Sequence, residues 1–198
     1  MNIFKKVLQG TVILVIIIAS MSVFAGAYDG YTDDFEYLKK SIATIDSICE
    51  KDIQQFVVEN RGWIKELSNR LDKYLLTIPE EQRHDVITRL MGGDPSTRSN
   101  NLDEYFNSTE YHLRGGYWTY SLDPKWSVRL LFPTLKAAWE ELETVYDGIR
   151  DDNGSLWNQY MCHYDLNAFG IAANIWDLEE GRPLIDYSGM VDVLCNPE

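Results

Sequence analysis

His163 and Asp165 stand two positions apart in a tail segment that also holds Gln159, Cys162, Trp176, Glu179 and Arg182. These are the side chains best equipped for chemistry. An imidazole beside a carboxylate is the pairing that orients and charges a general base. Over 156–166 the residue types predict a strand, with Trp157, Gln159, Met161, His163 and Asp165 on one face and Leu156, Asn158, Tyr160, Cys162 and Tyr164 on the other. On that geometry His163 and Asp165 are same-face neighbours, and a loop through Trp176 that folds back brings in Glu179 as a second acid. The plainer reading has His163 bonded locally and Asp165 capping a turn. Gln159, Trp176 and Arg182 are candidate binding residues. Arg182 either pairs with Glu179 to fix the loop or takes an anionic group. Exposed aromatics stack on sugars or pack against a peptide.

Other reaction classes find less in the chain. There is no Gly-x-Ser-x-Gly elbow for a serine nucleophile. Carboxylates are so abundant that a glycosidase pair of Asp165 with Glu179 or Glu180 carries little weight. His84, His112 and His163 are scattered, no His-Glu-x-x-His occurs, and Asp151-Asp152-Asn153-Gly154 lacks the spacing of a calcium loop. No metal and no cofactor is therefore expected.

The formal net charge is −13. Such a chain repels phosphate backbones and anionic lipid, which excludes nucleic acid and a membrane surface as expected partners. A protein, peptide or glycan remains. The charge also serves solubility.

Residues 1–27 have the parts of an export signal: Lys5 and Lys6, an apolar run from Val7 to Phe24, and small residues around Ala25 and Ala27 where cleavage takes place. An uncleaved anchor is the alternative, and either way the remainder is expected in the cell envelope or outside the cell. Three cysteines in an exported chain leave one over after pairing. Phe35, Leu38, Ile42, Ile45, Cys49, Ile53 and Phe56 recur at helical intervals, so Cys49 reads as a buried apolar residue, with intermolecular pairing or a reactive thiol as alternatives. Cys162 and Cys195 are then the natural disulfide.

The elements that must position these residues fall into two textures. Residues 28–92 form a helical region, with a first helix over 33–60, a second apolar face from Trp63 to Leu75, and a third helix opened by Pro79 and closed by Gly92-Gly93. Gly62 is either a break or a bend within one long helix. Residues 93–109 read as a linker or long loop. Residues 110–198 predict an α+β domain with a mainly antiparallel sheet. In it a hairpin pairs 117–122 with 126–131 around Asp123-Pro124, a helix runs from Pro133 to a cap at Gly148, and strands cover 156–166 and 190–195.

Gly116-Tyr117-Trp118-Thr119-Tyr120-Ser121-Leu122-Asp123-Pro124, Ala137-Ala138-Trp139, Asn158-Gln159-Tyr160-Met161-Cys162-His163, Trp176-Asp177-Leu178-Glu179, Arg182-Pro183 and Cys195-Asn196-Pro197 together resemble a bacterial secreted domain of unknown function over about residues 110–198. Asp177 and Glu180 stand where that pattern has Asn and Pro. The resemblance implies export, a bacterial source and the cysteine pair, and it implies no activity. A non-catalytic interaction module is the favoured expectation. A small secreted hydrolase or toxin using His163, Asp165 and Glu179 is the alternative.

Overall fold

The computed structural model describes residues 31–96, 101–168, 174–185, 187–192 and 195; the export signal expected over residues 1–27 lies outside the described residues. Helices α1 (Tyr31–Asp46), α2 (Glu50–Leu76) and α3 (Glu80–Met91) come first. Their apolar stripes are buried through Leu38, Ile42 and Ile45, then Ile53, Phe56, Ile64, Leu67, Leu71 and Leu75, then Ile87 and Leu90. Gly92 closes α3 in the left-handed conformation at φ 103°, which a residue without Cβ adopts freely. Helix α2 runs straight past Gly62 and bends at Asn60, whose φ of −115° is non-helical and whose Nδ2 donates to Phe56 O at 2.9 Å.

Cys49 departs from expectation. It is exposed and free, because 47–49 interrupts the helix and Cys49, with φ −63° and ψ 139°, leaves the helical path as the N-cap of α2. The stripe resumes in phase at Ile53.

The remainder runs α4 (Leu102–Tyr105), β1 (Phe106–Arg114), β2 (Tyr117–Pro124), α5 (Trp126–Leu130), α6 (Phe132–Val145), α7 (Asp147–Arg150), α8 (Ser155–Ala168), β3 (Trp176–Glu179) and α9 (Tyr187–Asp192). The three strands form one antiparallel sheet in the order β1-β2-β3. The protein is thus a mixed α+β fold, with helices first and the small sheet after them. Phe35–Glu198 holds together as one compact unit.

Several elements differ from the sequence expectation. The partner of β2 is β1, which begins inside the expected 93–109 loop, and the turn is Gly115-Gly116 with φ of 60° and 96°. Two positive φ values in a two-residue turn match the right-handed twist of a hairpin. Residues 126–130 are α5, its first turn capped by Asp46, which accepts Ser127 N at 2.7 Å and Ser127 Oγ at 2.9 Å. Helix α6 has the expected proline in its first turn but ends at Val145, with Tyr146 as its cap. Gly148 is no cap: a Cβ there would collide with the Glu180 carboxylate and the Tyr120 hydroxyl.

The largest correction concerns 156–166, which is helix α8 and not a strand. Asp152 Oδ2 accepts Gly154 N and Leu156 N, each at 2.8 Å, and so ties down free N–H groups where the helix begins. Helical spacing then buries Leu156, Gln159, Tyr160, Cys162 and His163 together. The expected strand at 190–195 is likewise replaced over its described part by the end of α9. Cys162 and Cys195 form the disulfide, 33 residues apart with Cα atoms 5.4 Å from each other. Closing that loop stabilises the fold by roughly 3 to 4 kcal/mol in the chain-entropy account. Met190 is buried against the bridge, flanked by Leu166, Ile185 and Val191.

Among the described residues no helix is long and apolar enough to cross a membrane.

Candidate functional site

Strand β3 has β2 on one side and α8 on the other. Its outward-facing peptide groups need partners, and two α8 side chains one turn apart supply them. Gln159 Oε1 accepts Glu179 N at 2.8 Å while Gln159 Nε2 donates to Glu179 O at 3.1 Å. His163 Nε2 lies 3.4 Å from Asp177 O. The two side chains stand in for the backbone of a neighbouring strand. Gln159 is fully buried and His163 is 6% exposed. The imidazole stacks on Trp176, with 5.8 Å between centroids and 9° between planes. Burial pulls the His163 pKa down to about 4, against the Asp177 carbonyl, which raises it. The ring is therefore neutral at ordinary pH, and its contact with a carbonyl requires the proton on Nε2.

The sequence candidates separate accordingly. Two helical positions are about 200° apart around the axis, so His163 and Asp165 point in different directions. Glu179 turns its carboxylate to Arg182, Oε2 lying 2.7 Å from both Nε and Nη2. Arg182 also covers the Tyr117 ring at 3.8 Å. This is the loop-fixing pair anticipated for Arg182. Trp176 is fully buried, with the Tyr160 ring edge-on at 5.3 Å and the buried Arg129 guanidinium over it at 5.5 Å. Thus Gln159 and His163 of α8 meet β3, to which Trp176 itself belongs, Glu179 meets Arg182, and Asp165 lies on a different side of α8 from His163.

The exposed chemistry lies on the β1–β2 hairpin. Opposed residues share a face, and Tyr111 faces Tyr120 while Leu113 faces Trp118. Tyr111 lies between Trp118 and Tyr120, stacked at 5.0 and 4.5 Å, and Tyr146 closes edge-on against Tyr120 at 5.1 Å. Glu180 fastens the row by accepting from the Tyr111 hydroxyl at 3.0 Å and from the Tyr120 hydroxyl. Desolvation and the Glu180 carboxylate push both phenols up, so both stay protonated donors. Leu113, Trp118 and Tyr111 are nevertheless 62%, 49% and 44% exposed. The sequence signal for this surface is Gly115-Gly116 between two β-prone runs, a two-residue hairpin mark.

The opposite face is polar. Ser108, Glu110, His112, Arg114, Ser121 and Asp177 line an open groove of about 560 Å³. Ser121 Oγ donates to Asp177 Oδ1 at 2.5 Å, and Arg114 pairs with the other oxygen of that carboxylate. His112 Nδ1 is 3.9 Å from Glu110. The serine thus meets a carboxylate that Arg114 already pairs, and not an imidazole. Among the described residues no His, Cys, Asp and Glu group is arranged to hold a metal.

Residues 106–198 match the model of a protein family of unknown function, DUF2599. The match begins at the first residue of β1 and takes in the whole sheet, α8 and the disulfide. Helices α1 to α3 precede it. The DUF2599 segment is consistent with a C-terminal domain of unknown function and brings no activity with it. No curated protein and no solved structure matches the chain.

Proposed function

We propose that the chain is an exported bacterial binding module with no catalysis of its own, which takes a protein partner on the aromatic face of the β1–β2 hairpin. The observation that carries this is the exposed, pre-set row of Leu113, Tyr111 and Trp118, its central ring clamped between two others and its hydroxyl fixed by Glu180. Trp and Tyr dominate binding hot spots, and rings already held in place lose little freedom on docking. A net charge of −13 favours a partner bearing Lys or Arg, whose cations also sit well over Trp and Tyr faces. The apolar leader and the Cys162–Cys195 bridge suit the envelope or extracellular space, where disulfides persist. A hydrolase acting through His163, Asp165 and Glu179 draws less support, because Arg182 takes the Glu179 carboxylate and the imidazole is engaged with β3.

Site-specific photo-crosslinking in the producing cells tests the reading. A photoreactive residue at position 113 is expected to give a discrete protein adduct that Trp118→Ala abolishes. The same probe at exposed Val58 on α2 is expected to give none. Equal crosslinking from both positions, or no adduct from 113, overturns it.

A further inference from the structure

Helix α3 carries His84 against α6, and both of its ring nitrogens face carboxylates. Nδ1 lies 3.2 Å from Glu140 Oε2 and Nε2 lies 3.2 Å from Glu141 Oε2. A neutral imidazole has one N–H and one lone pair. In that state one of the two contacts sets a lone pair against an anion. With both carboxylates ionised, both contacts are attractive only when both nitrogens carry protons.

The surroundings keep this arrangement in place. Glu141 is 6% exposed, and its other oxygen accepts Asn101 N at 2.9 Å, so the carboxylate also holds the turn that leads into α4. From α4 the Tyr105 ring approaches His84 at 6.3 Å, its hydroxyl occupied by Thr88 Oγ1 at 2.9 Å. Glu140 and Glu141 are the charged groups acting on the imidazole, while Lys136 acts on Glu140 and Glu104 on Tyr105.

We propose that His84 is a proton-operated latch: as an imidazolium bridging Glu140 and Glu141 it fastens α3 and the turn at Asn101 to α6, and loss of its second ring proton lets them loosen. The hydrogen bond to Glu140, with that to Glu141, raises the His84 pKa above its usual 6.5 in spite of burial, and the His84 bond lowers Glu140 below 4.5. The folded chain thus holds the His84 proton more tightly than the unfolded chain does. The latch contributes fully below pH 6.5 and fades as pH rises through the folded value. On the acid side it fades as Glu140 takes up a proton. It joins a helix outside the DUF2599 match to a helix inside it, and it is independent of the hairpin.

Nitrogen NMR of the imidazoles, together with amide exchange, tests the latch on the full mature chain. At pH 6.5 both His84 nitrogens are expected at protonated shifts, and Glu140→Gln is expected to lower the midpoint at which one of them changes. Between pH 6.5 and 9, exchange in α3 and at Asn101, corrected for intrinsic rates, is expected to gain on exchange in α8. Each pKa unit by which folded His84 exceeds its usual value shows as up to about tenfold. A His84 with a single protonated nitrogen at pH 6.5 overturns the latch, as does α3 protection that tracks α8 across the range. The unsubstituted chain suffices for both readouts, so a variant that fails to fold leaves the test intact.

Discussion

Two histidines sit in two helix seams, and their surroundings treat the proton in opposite ways. His163, between α8 and β3, faces a carbonyl and a tryptophan ring in a dry site, and it is kept neutral. His84, between α3 and α6, faces two carboxylates at the edge of solvent, and they raise its pKa in spite of burial. The residue type is the same; what differs is whether desolvation or opposite charge dominates. The α8–β3 seam therefore weakens in acid and the α3–α6 seam in alkali. Histidine position alone does not forecast which.

The contrast can be pressed hardest at Trp176, on which His163 rests. Trp176→Ala is expected to destabilise the chain by about 3 to 5 kcal/mol in urea titration, since a fully buried ring is lost. A loss below about 1 kcal/mol would remove the basis for calling that seam dry. Gln159→Leu keeps much of the side-chain volume but strands Glu179 N–H and C=O, for an expected loss of about 2 to 4 kcal/mol. The pH profile separates the two histidines. Between pH 6.5 and about 4 the unfolded chain takes up a proton on His163 that the folded chain refuses, so stability falls as pH drops, by up to on the order of 3 kcal/mol. His163→Gln should flatten that limb of the unfolding midpoint against pH and leave the limb above pH 6.5 alone. The smallest expected effect is Trp118→Ala, within about 0.5 kcal/mol on stability because the ring is half exposed. Its consequence is loss of partner crosslinking.

The helical region is largely legible in the sequence, because its stripes are long and Pro79 and Gly92 mark α3 at both ends. Cys49 misleads, since the break at 47–49 leaves Ile45 and Ile53 in phase and the periodicity passes over it. Strand β1 is marked in the sequence only by the Gly115-Gly116 turn that follows it: most of its side chains are exposed on both faces, so no alternation shows it. Over 156–166 the polar and apolar residues suit either period. The helix-starting role of Asp152 decides between them, and it is present in the sequence beside what reads as a simple turn. The candidate set suffers from the same ambiguity. A strand puts His163 beside Asp165; a helix puts it beside Gln159 and turns both toward β3. The Arg182–Glu179 pair and the Cys162–Cys195 bridge do not depend on that choice and are readable without it.

Gln159 has one more consequence, for how copies of this chain meet. Its amide occupies both the donor and the acceptor that Glu179 turns outward, and His163 takes the carbonyl of Asp177, so β3 presents no free register for an incoming strand. Cross-β polymers propagate from two ends. Among the described residues this sheet offers one: β1, which pairs there with β2 and carries Glu110, His112 and Arg114. A copy that added there through its own β1 would leave its own capped β3 on the far side, and growth would stop at a pair.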